Sequence, residues 1–285
     1  MRILTFDIED WFHILDEETT KSEKEWSQYE SRMQVNMDRI FGLLEKHQQK
    51  ATFFCLGWIA EKHPEIIKQI DSYGFEIASH SYSHQLIYEQ SKESFTTDLE
   101  RSVKTIEDLI GKKVTSYRAP GFSLKEGDEW VFDVLLEQGI DTDCSIFPAG
   151  RGHGGYPSFG SAEPAILEVG GKEIKEFPMN VTELLGKKIV FSGGGYFRFF
   201  PYSYIKRLTK KSDYVMTYFH PRDFDPDQPV ITNLSLARKF KSYYGLGGAL
   251  RKLERLITDA EFTDLKGAQQ QVDWGSVKRI PIKKA

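Results

Sequence analysis

Short apolar segments alternate with longer amphipathic ones through the first half of the chain. That alternation limits the folds open to it more than any other feature. Met1-Arg2-Ile3-Leu4-Thr5-Phe6 reads as a buried strand, because apolar and β-branched side chains run through it. A helix follows over about Val35–His47, with Ile40, Leu43 and Leu44 as its apolar stripe. Ala51–Leu56 is a second buried strand, Pro64 opens a helix through Ile70, and Gly74 ends it. Phe75–Ser79 is a third strand, and Glu93–Ile110 is a long helix closed by Gly111. Val114–Tyr117, a helix over Trp130–Leu136, and Gly139–Ser145 complete the pattern. Strands joined by helices through short connections predict a parallel sheet, open or closed into a barrel.

The second half is less regular. Ile166–Val169 and Ile174–Phe177 flank Gly170-Gly171 and read as a hairpin. Ser192–Gly195 is a glycine-rich turn before the aromatic run Tyr196–Phe200; it lacks the Lys-Ser/Thr of a phosphate loop and the spacing of a dinucleotide fingerprint. Tyr214–Phe219 is a late strand ending in His220-Pro221, and helices are expected around Ser235–Lys241 and Leu250–Thr258. Asp16–Ser31 is expected as an exposed loop or short irregular helix, and the residues from Lys266 onward as a mobile polar tail. The expected organisation is one domain over residues 1–265 with a C-terminal extension over 266–285, and 285 residues suffice for one large α/β barrel.

Net charge is −4 with no basic block, so nucleic-acid binding has no electrostatic support. Cys55 and Cys144 sit in or beside apolar runs and read as reduced core residues. No apolar run reaches membrane-spanning length, and the chain starts on a strand and an acid rather than a signal peptide. A cytoplasmic location is the expectation.

The chemistry gathers at strand ends. Asp7-Ile8-Glu9-Asp10 follows the first strand, where acids are costly to bury unless they bind something. Asp7 and Glu9 are two apart, so an extended backbone puts them on one side. After the third strand come His80 and His84; if the segment turns helically, that spacing aims both imidazoles at one ion. The Ser81 hydroxyl can bond nearby backbone and hold the turn. Two carboxylates and two imidazoles suit a divalent metal with an adjacent base. Solvated loop histidines and a helix N-cap acid are the plain alternatives.

Thr5-Phe6-Asp7, His80-Ser81-Tyr82-Ser83-His84, Arg118-Ala119-Pro120-Gly121-Phe122, Asp143 after Gly139, and Tyr218-Phe219-His220 stand in order, each at a strand end. Together they resemble the five motifs of the polysaccharide deacetylases with a NodB homology domain, carbohydrate esterase family 4. The likeness runs from Thr5 to about Pro221. It implies a distorted (β/α) barrel of seven strands with its site at the strand ends. It also implies metal-dependent hydrolysis of N-acetyl groups on an amino-sugar polysaccharide or its lipid-linked precursor, with release of acetate. Glu9, His80 and His84 would hold the ion, Zn²⁺ first, with Co²⁺, Ni²⁺ or Mn²⁺ as alternatives. Asp7 would be the base, His220 the acid, and Arg118 the partner that orients Asp7. Asp143 would orient His220 or Arg118, and the Gly121 or Phe122 N–H would meet the developing oxyanion.

Two departures stand out. The common first motif has a second aspartate where this chain has Ile8, so strand parity favours Glu9 as the carboxylate ligand, with Asp10 as its rival. Gly121 stands where the family often has tyrosine. Asp10-Trp11-Phe12-His13, Phe177-Pro178-Met179 and the Gly-Gly-Gly-Tyr-Phe-Arg run resemble the exosortase and exopolysaccharide-associated branch. Sugar stacking would fall to Trp11, Phe12, Phe122, Phe147, Tyr156 and Tyr196, with Arg198 meeting an acidic sugar or phosphate and His13 and His153 adding polar contacts. Two other readings stay open: an inactive carbohydrate-binding or assembly module, and an allantoinase-like hydrolase acting on a small C–N substrate.

Overall fold

The computed structural model describes residues 1–282 except 16, 18, 19, 21 and 185. Asp16, which heads the expected polar stretch, and residues 283–285 of the expected tail lie outside the described residues.

Twelve strands occur among the described residues. Arg2–Ile3 (β1) and Thr5–Ile8 (β2) open the chain, followed by Thr52–Cys55 (β3), Glu76–Ser79 (β4), Ser116–Tyr117 (β5) and Thr142–Asp143 (β6). Ala165–Val169 (β7) and Lys172–Glu176 (β8) form the expected hairpin across Gly170-Gly171. Thr182–Leu184 (β9) and Lys187–Ile189 (β10) make a second, separate hairpin. Val215–Met216 (β11) and Lys278–Ile282 (β12) come last. β2, β3, β4, β5, β6 and β8 lie side by side, each parallel to the next. β1 pairs with β11, and past it Asp7 N–H donates to Phe219 O at 2.7 Å while Phe219 N–H donates to Thr5 O at 3.2 Å. The 215–219 segment is therefore the seventh parallel strand, beside β2.

Side chains rather than a ladder span the interval between the end of β8 and β11. Asn180 Oδ1 accepts from Met216 N–H at 2.9 Å and from Ser192 Oγ at 3.0 Å, and Tyr214 Oη donates to Pro178 O at 2.7 Å. This is a distorted seven-stranded α/β barrel, as the motifs imply.

Helices cover the outside: Glu23–Trp26 (α1), Met33–Lys46 (α2), Gly57–Lys62 (α3), Pro64–Ser72 (α4), Lys92–Ile110 (α5) and Trp130–Glu137 (α6). The longest, α5, begins where Ser91 Oγ accepts from Ser94 N–H at 3.2 Å and ends on Gly111 at φ 65°, a left-handed cap that glycine adopts without strain. Its apolar face, Phe95, Leu99, Val103 and Ile106, is buried. At the centre Phe6 stacks on Phe53 at 5.3 Å, and Cys55 and Cys144 are buried and unpaired thiols. Gly194–Phe199 (α7), Tyr202–Lys211 (α8), Leu236–Tyr243 (α9), Leu246–Asp259 (α10) and Leu265–Gln271 (α11) form the C-terminal third. The glycine run expected as a turn thus opens a helix, α7.

The expected mobile tail is ordered structure in its described part. Asp264 caps α11 by accepting from Gly267 N–H at 2.8 Å, and β12 pairs in parallel with β7 at the sheet edge. Among the described residues no helix is long and apolar enough to cross a membrane.

Candidate active site

The functional side chains rise from the C-terminal ends of the parallel strands. Asp7 lies in β2 and Glu9 follows it; His80 follows β4, Arg118 follows β5, and His220 follows the 215–219 segment. Ladder bonds continue past the strand ends, with His80 N–H on Cys55 O at 2.9 Å and Arg118 N–H on Ser79 O at 3.0 Å. The side chains at these ends therefore share one cluster.

His80 Nε2 lies 3.1 Å, and His84 Nε2 2.9 Å, from the same oxygen of Glu9, Oε1. The other nitrogen of His80, Nδ1, sits 2.8 Å from Arg118 O. A carbonyl only accepts, so Nδ1 carries the proton and Nε2 presents a lone pair. That lone pair faces a carboxylate oxygen, an arrangement that calls for a proton or a cation between them. The ligand atoms of Glu9, His80 and His84 all lie within 4.8 Å of one another. Two imidazoles and a carboxylate, with the Arg118 carbonyl fixing the orientation of one imidazole, fit a Zn²⁺-type ion. Burial alone would raise Glu9's pKa, but the positive charges of His84 and His220 hold it well below the usual range.

The turn that places His84 is not helical. Ser81 sits at φ 67° and His84 at φ 53°, both left-handed, and Ser81 Oγ accepts from His84 N–H at 3.0 Å. Left-handed non-glycine residues are costly and persist where surroundings impose them. The expected helical turn is thus replaced by a strained bend, locked by the serine as expected.

Arg118 is fully buried. Its Nη1 donates to Asp7 Oδ1 at 2.6 Å and to Thr5 Oγ1 at 2.8 Å, Nη2 points at Met216 Sδ at 2.9 Å, and its guanidinium stacks on Phe54 at 4.0 Å. Asp7 is thereby fixed in orientation. His220 Nε2 stands 4.0 Å from Asp7 Oδ2 and 3.7 Å from Glu9 Oε1. Its Nδ1 lies 3.0 Å from Asp223 Oδ2, and its own N–H donates to that oxygen at 2.9 Å. Burial works to lower the His220 pKa, but the charge of Glu9 and the Asp223 hydrogen bond outweigh it and raise it to about 9. Asp223 falls to about 2: burial opposes the fall, and Arg198 and His220 drive it.

Several expectations need correction. Asp10 does not face the cluster: its carboxylate accepts from Trp11 N–H at 2.7 Å, Ser31 Oγ at 2.5 Å and Arg32 N–H at 3.0 Å. Asp143 orients neither His220 nor Arg118. It accepts from Ser145 Oγ at 2.6 Å, and that hydroxyl accepts from Ala119 N–H at 2.8 Å, so Asp143 braces the loop after Arg118. Its other partner is Glu176, which burial and the Asp143 charge push well above the usual range, so the two carboxyls share a proton.

Trp11 and Phe12 are core residues, Phe12 wholly buried and Trp11 5% exposed, packed with Tyr29. His13 is buried against Trp26 at 4.3 Å, and its Nδ1 accepts from Asp10 N–H. Arg198 is buried too, 3.2 Å from Asp223 Oδ1, with the rest of its guanidinium on the carbonyls of Lys241, Ser242 and Tyr244. It meets no solvent-side sugar. Tyr156 is half-buried and donates to Glu129 Oε1 at 2.6 Å, while Tyr196 is exposed on α7.

Phe122 and Phe147 do stand by the site. Phe122 lies edge-on to Tyr218 at 5.5 Å, Tyr218 is edge-on to His220 at 6.0 Å, and Phe147 is 6.4 Å from Phe122. Gly121 has φ 61°, a left-handed conformation that favours glycine. Phe122 N–H is committed to Ala119 O at 3.0 Å. Of the two expected oxyanion donors, Gly121 N–H is the one without such a commitment among the described residues.

Sequence reasoning missed Asp223, Glu176 and Arg151, whose guanidinium lies 4.9 Å over Phe147 and 5.5 Å over Phe122. Asp223 had a signal: an acid three residues after His220 is the capping-box spacing, and both its bonds are present.

Residues 16–130 match the family model described as polysaccharide deacetylase, and residues 144–270 match a domain of unknown function, DUF3473. A peptidoglycan deacetylase of Helicobacter pylori is 32% identical over 113 residues, which is 40% of this chain and 38% of that protein. The chain thus spans about two fifths of that relative. In fold it is similar to a Mycobacterium smegmatis protein described as a candidate polysaccharide deacetylase, with TM-score 0.66, 18% identity, and coverage of 100% of this chain and 93% of that one. It is also similar to the allantoinase Puue, with TM-score 0.59, 14% identity, and coverage of 94% and 88%. With the ordered motifs at its strand ends and the match over residues 16–130, the N-terminal part of the chain is similar to the polysaccharide deacetylases.

Proposed function

We propose that this protein is a metal-dependent hydrolase that removes N-acetyl groups from an amino-sugar glycan, a polysaccharide or its lipid-linked precursor, and releases acetate. The observation that carries the reading is the meeting of three units at the strand ends: the Arg118–Asp7 pair, the Glu9–His80–His84 donor set, and the Asp223–His220 pair. Any one of them occurs in ordinary structural roles. The three together supply what amide hydrolysis needs.

An acetamide is a weak electrophile, and its amine leaves only when protonated. Glu9, His80 and His84 would hold the ion, Zn²⁺ by the donor set, which when bound supplies Lewis-acid polarisation and a more acidic water. Asp7 keeps one carboxylate oxygen on Arg118 and turns the other toward His220, where it can take a proton from water. Gly121 N–H stands in the loop after Arg118 as a donor for the carbonyl oxygen as its charge grows; such a donor is worth roughly 3–4 kcal/mol. Asp223 holds Nδ1 of His220, so the proton on Nε2 is the one available to the departing amine. Phe122, Phe147 and Tyr218 offer apolar surface to a pyranose. The Helicobacter pylori relative is named for deacetylation of a glycan, which agrees with this assignment.

The test is acetate release from N-acetylglucosamine oligomers by protein reconstituted with Zn²⁺, Co²⁺, Ni²⁺ or Mn²⁺. Turnover in at least one metal form, abolished by chelation, is expected. Allantoin hydrolysis without acetate release from any oligomer would replace this reading by the small-substrate one.

A further inference from the structure

Among the described residues eight large apolar side chains are exposed, and six of them, Tyr196, Phe199, Val230, Leu236, Phe240 and Tyr244, lie on one lobe made by α7, α9 and the loop before α9. Leu236 and Phe240 are four apart and share one face of α9, and Tyr244, just past its end, packs against Phe240. Leu236 is 85% exposed. Their rings are continuous: Phe240 lies 4.7 Å from Tyr244, Phe199 lies 6.1 Å from Phe240, and Phe200 lies 5.5 Å from Phe199. Val230 joins through its neighbour Ile231, whose N–H donates to Tyr243 Oη at 2.9 Å. None of α9 is buried.

The α9 part of the patch is cationic. Residues 235–251 carry four basic side chains and no acidic one, in a chain whose net charge is −4, and Asp227 in the loop before α9 is exposed, 3.7 Å from Arg39. Two neighbouring cations are used internally: Arg198 on Asp223, and Lys252 on the carbonyls of Phe197, Arg198 and Phe200. Lys241 and Arg251 are exposed, and Lys239 is half-buried. An apolar stripe on a short amphipathic helix, set among lysines and arginines, is the pattern of a segment that lies in a bilayer interface. A second copy of the chain would bring the same cations together and repel. A hydroxylated glycan would leave Leu236 and Val230 without an apolar partner.

We propose that the α7–α9 face docks on the surface of an anionic phospholipid bilayer, with Leu236, Phe240 and Tyr244 entering the headgroup–acyl boundary and the surrounding cations meeting lipid phosphates. The docked face adjoins the catalytic mouth. Arg198 holds the carbonyls at the end of α9 with one side of its guanidinium and Asp223, the partner of His220, with the other. Docking requires no turnover, so the proposal stands or falls apart from the deacetylase reading.

The experiment is co-sedimentation of the full chain with vesicles of phosphatidylcholine alone or with about 30% phosphatidylglycerol, at low and at high salt. Binding at least about tenfold stronger to the anionic vesicles, and weakened by salt, is expected. Leu236→Glu/Phe240→Glu should remove it, with the circular dichroism and melting curve of the parent; should that pair unfold, Lys239→Glu/Lys241→Glu should weaken binding by about tenfold instead. Equal binding to both vesicle types overturns the proposal, as does anionic binding that a folded variant keeps. It is equally overturned if vesicle binding is absent and the substitutions instead abolish self-association in light scattering or retention on chitin.

Discussion

Glu9 offers one oxygen to two imidazoles, and neutralising that carboxylate or removing either imidazole should undo the centre. Glu9→Gln, His80→Ala and His84→Ala are each expected to lose metal and turnover together, measured as metal content per protein after gel filtration. Asp10→Asn should keep its metal, because Asp10 is occupied by Ser31 and Arg32, and should show its effect in the melting temperature instead. His220→Ala should keep metal and lose turnover by roughly a hundredfold or more. An acid works only while protonated, so turnover falls as pH rises through the His220 pKa. That value is raised to about 9, and a bound cation beside Glu9 would lower it, so the alkaline limb should lie at or below about 9. Asp223→Asn removes an upward push and should move the limb to lower pH; an unmoved limb would assign the proton donor elsewhere. At this scale sequence reached Asp7, Glu9, His80, His84 and Arg118, whose spacing and charge have few structural uses together. Trp11, Phe12 and Arg198 misled because a ring or guanidinium has the same letters whether it faces a sugar or the core. Glu176 was unreadable, because its meaning depends on Asp143 on a neighbouring strand.

Elements with a strong period were legible: α2, α4, α5 and α6 stand within a few residues of their expected limits, as do β3 and β4. Those that departed have physical reasons. α7 begins Gly194-Gly195, which reads as a turn, and is held by its own Arg198, which reaches out to Asp223. β12 contains Pro281, Lys278 and Arg279, which argue against a strand, yet it sits at a sheet edge, where a missing N–H is tolerated. The junction between β4 and α11 carries a measurable consequence. Glu76 Oε2 accepts from Thr52 Oγ1 at 2.7 Å and from Lys266 N–H at 2.8 Å. Burial nonetheless outweighs these bonds and raises its pKa from 4.5 to about 7. The folded state therefore favours the protonated form, so this carboxyl's stabilising contribution is full below about pH 4.5 and is lost between there and about 7. Glu76→Gln keeps the acceptor without the charge. At pH 8 it should stabilise by on the order of 2–3 kcal/mol, and at pH 4.5 it should be neutral, as read from denaturant melts at both pH values.

On the scale of the molecule, neither matched segment holds a complete centre. Asp7 and Glu9 precede residue 16, His80, His84 and Arg118 lie in the first segment, and His220 and Asp223 lie in the second. The last strand is structural: removing the residues after Val272 deletes β12 and leaves β7 as an open edge. The truncated protein should melt at lower temperature and self-associate in light scattering, while the fraction that stays monomeric keeps turnover. The pairing of the seventh strand joins Thr5 to Thr217, 212 residues apart, by a 2.8 Å hydrogen bond. A contact of that span forms late, since the entropy of bringing its ends together is met before anything rewards it. As the chain grows from its N-terminus, the base, the carboxylate and both histidines are made long before the strand that will wall them in. The nascent barrel therefore spends most of its elongation with its acidic first strand lacking its second neighbour, and the proposed ion site is walled in only in the last step of folding.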